Sequence, residues 1–305
     1  LSRHPRHFLH IFTQTLVLLF IIYGLLLPAY PAAGSNENRQ HVIPQRIISL
    51  YGGLTETLYA LGLGPRIVGV VNSDDYPPEV LQKPRVGTHF NPSIEKILSL
   101  NPDLVLAKNR RGRTAEALTY LEKAGISIFT ADPHTLNDFY SLLKTLGKMF
   151  HCPEKAAALI DKYNEKLAEE RQKEGIQKSA KRVFFEVRYH DHALIAAGAK
   201  SIVNEIIHLA GGVNIVETPR QHVNYSIETL LSKQPDVYIV QRGPMNKSPL
   251  PAQRPLFKDL TAVRAGQVFC VDEKKYSRFG PRTIDAIIEL TDILRQNAAG
   301  DPQHR

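Results

Sequence analysis

Residues 46–71 read RIISLYGGLTETLYALGLGPRIVGVV. The run 46–50 is short, apolar and rich in isoleucine, which predicts a buried strand. Tyr51-Gly52-Gly53 is a turn, and 54–61 carries helical spacing that stops near Gly62 and Gly64. The run 66–71 returns to the strand pattern. Strand, helix and strand in such quick succession is a βαβ unit, so the fold class is α/β with a parallel sheet.

The same grammar continues outward. A helix over 93–100, a strand over 103–107, a helix over 114–124 and a strand over 127–130 complete a first α/β half. Residues 135–178 change character. They predict a helix over 136–150 and a long polar one over 153–173, with Ala157, Leu159, Ile160, Tyr163 and Leu167 as its apolar stripe. Pro153 suits the first turn of that helix. Strands then resume at 182–187, 237–240 and 268–271, with helices over 201–210, 227–232 and 282–295. The chain therefore divides into a leader, 1–34, an N-terminal lobe, 35–134, a helical connector, 135–178, a C-terminal lobe, 179–298, and a tail, 299–305.

One internal match joins the halves. Ser93-Ile94-Glu95 opens a stretch ending in Pro102-Asp103, and Ser226-Ile227-Glu228 opens one ending in Pro235-Asp236. An apolar strand follows each copy. Each serine can cap a helix, and each glutamate faces the positive end of the helix dipole. Capping alone accounts for both acids. The alternative is one exposed carboxylate per lobe, presented to a two-fold partner with matching positive groups.

Composition sets limits. The 305 residues are 43% hydrophobic, with a formal charge of +8 that no low-complexity tail carries, which excludes a polybasic disordered arm and a multi-span membrane protein. Arg3 and Arg6 precede an apolar run over 16–27 and then small residues, the pattern of a secretory signal peptide. No cysteine near its exit suggests lipid attachment, so a periplasmic location is expected. Export argues against nucleic acid as the partner. Cys152 and Cys270 could pair in an oxidising compartment or stay free. The alternative to a binding protein is a periplasmic hydrolase-type α/β enzyme, but G-x-S-x-G, H-E-x-x-H, P-loop and G-x-G-x-x-G motifs are all missing.

In open α/β sheets ligands collect beyond the carboxyl ends of the strands. The candidates there are Tyr51, Tyr76, His89, Phe90, Arg110, Arg111, Arg188, Tyr189, Arg242, Tyr276 and Arg278. Aromatic faces and guanidinium forks suit a bulky, partly apolar, anionic ligand. Each has a plainer alternative, core packing for a tyrosine and a solvated loop for 108–113. His190 and His192 flank Asp191, and on an extended segment their imidazoles would share one side, so they are candidate metal ligands.

Thr55-Glu56-Thr57-Leu58-Tyr59-Ala60-Leu61-Gly62, Ile67-Val68-Gly69-Val70, Asp75-Tyr76-Pro77-Pro78, Pro84-Arg85-Val86-Gly87, Asn91-Pro92-Ser93-Ile94-Glu95, Gly211-Gly212-Val213-Asn214 and Gly280-Pro281-Arg282 resemble, in order, the periplasmic binding proteins for ferric siderophores and cobalamin, of the helical-backbone metal-receptor type. The resemblance implies two Rossmann-like lobes with parallel-type sheets joined by a single long backbone helix. It implies a metal chelate in the cleft (ferric siderophore or cobalamin, then haem), no cofactor, and a monomer. It further implies delivery to the permease dimer of an inner-membrane ABC importer, with Glu95 and Glu228 docking on permease arginines.

Overall fold

A computed structural model of the chain describes residues 43–173 and 180–299. The expected signal peptide, 1–34, lies outside the described residues, as does nearly all of the tail. Among the described residues, no helix is long and apolar enough to cross a membrane.

The first lobe consists of β1 (Ile47–Ser49), α1 (Gly52–Ala60), β2 (Ile67–Val70), α2 (Ile94–Ser99), β3 (Leu104–Ala107), α3 (Gly112–Lys123) and β4 (Ser127–Thr130). Its four strands lie in the order β2-β1-β3-β4, all parallel. β1 and β3 are buried along their whole length, as strands covered by helices on both faces must be.

Two helices follow, α4 (Leu136–Met149) and α5 (Pro153–Gln172). Thr135 and Asp138 close a capping box on α4, and Pro153 sits in the first turn of α5. The buried stripe of α5 is Ala156, Ile160, Tyr163 and Leu167. Ala157 is exposed, so the stripe starts one residue earlier than its sequence spacing suggested.

The second lobe contains β5 (Arg182–His190), β6 (Ala193–Ala197), α6 (Ile202–Leu209), β7 (Val213–Asn214), β8 (His222–Asn224), α7 (Ile227–Lys233), β9 (Val237–Arg242), α8 (Thr261–Arg264), β10 (Val268–Asp272), α9 (Glu273–Tyr276) and α10 (Arg282–Ala299). Its sheet runs β10-β9-β5-β6-β8, with β7 paired to the start of β5. This sheet is mixed, which corrects the expectation of parallel strands throughout. β10, β9, β5 and β7 are parallel, whereas β6 and β8 are antiparallel. The reason is local. β5 does not stop at Val187 but runs on to His190, and the chain reverses through Asp191 and His192, both at positive φ (45° and 61°). Such a two-residue turn makes a hairpin, and aspartate and histidine tolerate that backbone region better than most residues.

One contiguous core passes through both lobes and the helices between them. It includes Ile47, Leu54 and Leu58 of the first lobe, Phe139 and Leu143 of α4, Ile160 and Tyr163 of α5, and Phe185, Ile239 and Ile287 of the second. The Phe139 ring lies 6.1 Å from that of Tyr163 and 5.7 Å from that of Phe279. The lobes also touch directly. A Cβ on Gly53 would stand 2.3 Å from the carbonyl oxygen of Phe279, so only glycine permits this approach. Separate cores cover the outer face of each sheet.

Candidate functional site

The carboxyl ends of both sheets converge on a cavity of ≈ 580 Å³. From the first lobe come Tyr51 after β1, His89 and Phe90 before α2, and Lys108 and Arg111 after β3. From the second come His222 on β8, Gln241 on β9, Met245 in the loop after it, and Tyr276 and Arg278 after β10. A cleft at this edge is what α/β topology dictates, because loops leaving parallel strands all emerge there.

Aromatic and cationic groups are interleaved on its walls. The Tyr51 and His89 rings meet edge to face at 6.2 Å, and the His89 and Phe90 rings lie 3.8 Å apart. Lys108 Nζ sits 5.1 Å from the centre of the Tyr51 ring. Burial raises the Tyr51 hydroxyl well above its ordinary pKa, with Arg278 opposing. Burial lowers His89, helped by Arg278 and Lys108, and burial lowers His222, helped by Lys108 and Arg188. Both shifts favour the neutral imidazole. Phe90 is 73% exposed and Met245 48%, so the cleft has apolar lips on opposite lobes. Gln241 is only 1% exposed, yet its Nε2 has no hydrogen-bond partner in the described structure.

Beneath the cavity lies a charged floor. Arg278 Nη1 reaches across to 3.9 Å from Asp74 Oδ1, and Thr55 Oγ1 donates to Asp74 Oδ2 at 2.6 Å. Burial pushes the Asp74 carboxyl up to about 6 against both contacts. Lys274, another lining residue, pairs with Asp75 of the opposite lobe.

Six of the eleven sequence candidates come together here: Tyr51, His89, Phe90, Arg111, Tyr276 and Arg278. Tyr276 is a wall rather than a free phenol, since its hydroxyl donates to the Ala286 carbonyl at 3.0 Å. The other five are placed outside the lining. Tyr76 lies under the Arg282 guanidinium at 4.8 Å, and Arg110 forks onto Glu122. Tyr189 is covered by Arg254 at 4.1 Å and meets Phe257 edge to face at 5.4 Å. Arg242 donates to the Ser248 carbonyl, and Arg188 is exposed on β5. Strand alternation explains the swap of Arg242 for Gln241, because neighbouring side chains point to opposite faces. Lys108 stood within the 108–113 loop read as a candidate region. His222 enters from the start of β8, a short strand antiparallel to β6 that carries no parallel-strand signature.

His190 and His192 do not share one side of an extended segment. His190 ends β5 and His192 sits in the turn, where His190 Nε2 faces Asp191 Oδ2 at 3.0 Å and the Tyr189 hydroxyl lies 3.4 Å from His192 Nδ1. Among the described residues, no group of three or more His, Cys, Asp or Glu is placed to hold a metal ion. Cys152 and Cys270 are both free.

Glu95 and Glu228 occupy equivalent places, each in the first turn of its short helix and each exposed. Ser93 Oγ accepts the Lys96 N–H at 3.4 Å, and Ser226 Oγ accepts the Thr229 N–H at 3.0 Å. The serines thus cap the helices. Glu228 is held below its ordinary pKa by its own backbone N–H and by the Ser226 hydroxyl. Among the described residues neither glutamate forms an ion pair.

Two α/β lobes around a walled cleft, backed by a long helix, define a two-lobed solute-binding protein. The Periplasmic binding protein family model matches residues 47–274, and the chain belongs to that family. It is 31% identical to the Vitamin B12-binding protein of Vibrio cholerae over 280 residues, covering 91% of this chain and 94% of that one. It is 31% identical over 273 residues to the uncharacterized ABC transporter substrate-binding lipoprotein YvrC of Bacillus subtilis, covering 87% of this chain and 86% of that one. The periplasmic heme-binding protein RhuT of Roseiflexus, solved in apo form, superposes with a TM-score of 0.74 at 29% identity, over 83% of this chain and 99% of that one. The chain is accordingly an extracytoplasmic substrate-binding protein of the ABC-importer type, and nothing supports the hydrolase alternative.

Proposed function

We propose that the cleft captures a metal macrocycle, a corrinoid of the cobalamin type, and hands it to an ABC permease dimer. The observation that carries this is the composition of the cavity. Two rings and two apolar lips stand beside an unpartnered amide in Gln241 and the cations Lys108, Arg111 and Arg278. Apolar faces cover a flat ring, the amide matches polar substituents on its rim, and the cations suit an acidic group carried at its edge. The 31% identity to a vitamin B12-binding protein along nearly the whole chain supports the corrinoid. A second reading, haem, is favoured by one feature: His89 and His222 both line the cavity, their surroundings favour the neutral imidazole, and a neutral imidazole can ligate iron.

Glu95 and Glu228 are the proposed docking acids. Each opens a helix that leads into a parallel strand, so each belongs to the edge of its lobe that carries the cleft. Absorbance titration separates the two guests. Cyanocobalamin bound stoichiometrically with haemin left free supports the corrinoid. The converse supports haem, and failure of both sinks the macrocycle.

A further inference from the structure

Beside the main cavity lies a second one of ≈ 600 Å³, and Arg111, Ser201 and Gln221 line both. We propose that this side chamber holds an anionic arm of the same chelate, a phosphodiester or carboxylate carried outside the ring. The substrate is then a metal macrocycle with an acidic appendage rather than a bare ring. This arm site rests on the macrocycle reading above.

Three cations face the chamber, Arg111 from the first lobe and Lys200 and Arg220 from the second. None of them forms an ion pair with an acid among the described residues. The carboxylate on this wall, Glu205, accepts the Leu136 N–H at 3.2 Å, and three cations against this one acid leave the lining net positive. His134 adds a buried Nδ1 without a hydrogen-bond partner. A chamber with unpaired guanidinium and ammonium groups on two sides is complementary to a phosphate or carboxylate, which two such groups can bind in charge-assisted fashion.

The backbone that carries the two second-lobe cations is also held in place. The loop after β6 is zipped to the loop before β8. Gly198 N–H donates to Gln221 O at 3.0 Å, Ala199 N–H to Thr218 O at 2.9 Å, and Lys200 N–H to Arg220 O at 3.2 Å. A Cβ on Gly198 would stand 2.3 Å from the Arg220 carbonyl oxygen, so a glycine is what lets the two loops close. A site whose backbone is fixed before the ligand arrives loses little on ordering it. Because Arg111, Ser201 and Gln221 belong to both spaces, one ligand can fill both without a break.

The test compares ligands with and without the arm. Cyanocobalamin is set against dicyanocobinamide, which lacks the nucleotide loop and its phosphodiester, and haemin against its dimethyl ester. In whichever pair the full-length protein binds, the arm-bearing member is expected to bind at least about tenfold tighter. The double variant Lys200→Ala, Arg220→Ala should abolish that difference and leave the affinity for the arm-lacking member unchanged. Equal affinities in the unmodified protein would overturn the arm site while leaving the macrocycle intact. No binding by either pair would overturn the macrocycle and the arm together. Inorganic phosphate is titrated separately by calorimetry. Saturable phosphate binding that leaves the arm-bearing preference unchanged would mark an independent small-anion site and overturn the assignment.

Discussion

Glu56 on α1 and Arg282 in the first turn of α10 lie at opposite ends of the described chain and meet in a two-pronged ion pair. Arg282 Nε donates to Glu56 Oε2 at 3.0 Å, and Nη2 donates to Oε1 at 2.6 Å. Glu56 is 3% exposed, and burial raises its pKa although the guanidinium opposes this. The pair ties the first lobe to the second. Asp75 and Asp272 stand 4.0 and 3.9 Å from the same guanidinium.

Arg282→Ala leaves a buried carboxylate without its partner. Breaking a buried pair from one side typically costs about 3–5 kcal/mol. Urea denaturation should show a loss of that order, while Arg110→Ala, which breaks the exposed pair with Glu122, should change stability by less than about 1 kcal/mol. Equal losses in the two variants would contradict the clamp.

Asp74 gives the fold a pH dependence whose sign is set by burial. Its folded pKa, about 6, lies above the ordinary value of 3.8, so between these pH values the folded state keeps a proton that the unfolded chain has released. Stability therefore falls as pH rises through that window, by about 3 kcal/mol from this group, and levels off above it. Asp74→Asn should remove this part of the slope. Glu56, raised in the same direction, stays in both proteins, so the difference between their curves isolates Asp74.

Ligand binding should close the cleft only slightly. A shared core, the Gly53–Phe279 contact and the Glu56–Arg282 pair all tie the lobes together at their base. Radii of gyration from X-ray scattering, with and without bound chelate, are expected to agree within error. A large domain rotation would refute the braced architecture.

Phe90→Ala and Met245→Ala remove the apolar lips. Both side chains are exposed, so folding should be unaffected. Covering one of them with a ligand contributes about 1.5 kcal/mol, so each variant should weaken chelate binding roughly tenfold by absorbance titration. Unaltered affinity would place the ring elsewhere.

Glu95→Arg together with Glu228→Arg should abolish uptake of chelate by cells carrying the matching importer, with affinity in solution unchanged. Each single reversal should leave an intermediate rate, since one lobe would still present its acid. Lost affinity in the double variant would instead place the two acids in ligand binding.

The periodicity of 46–71 and its echoes determined the α/β class, the order of the first lobe and the long helix, because burial on both faces leaves a plain apolar signature in parallel strands. The serine-glutamate repeat likewise marked two equivalent exposed acids. Only the tertiary structure decided the mixed second sheet, which depends on where β5 turns back. It also decided which strand-end residues face the cleft, since Gln241 and Arg242 differ by a single step of the pleat. And it alone brought Glu56 to Arg282 and Arg111 to Lys200 and Arg220, because contacts between residues so far apart in the chain are set by how the lobes pack, which no local pattern records.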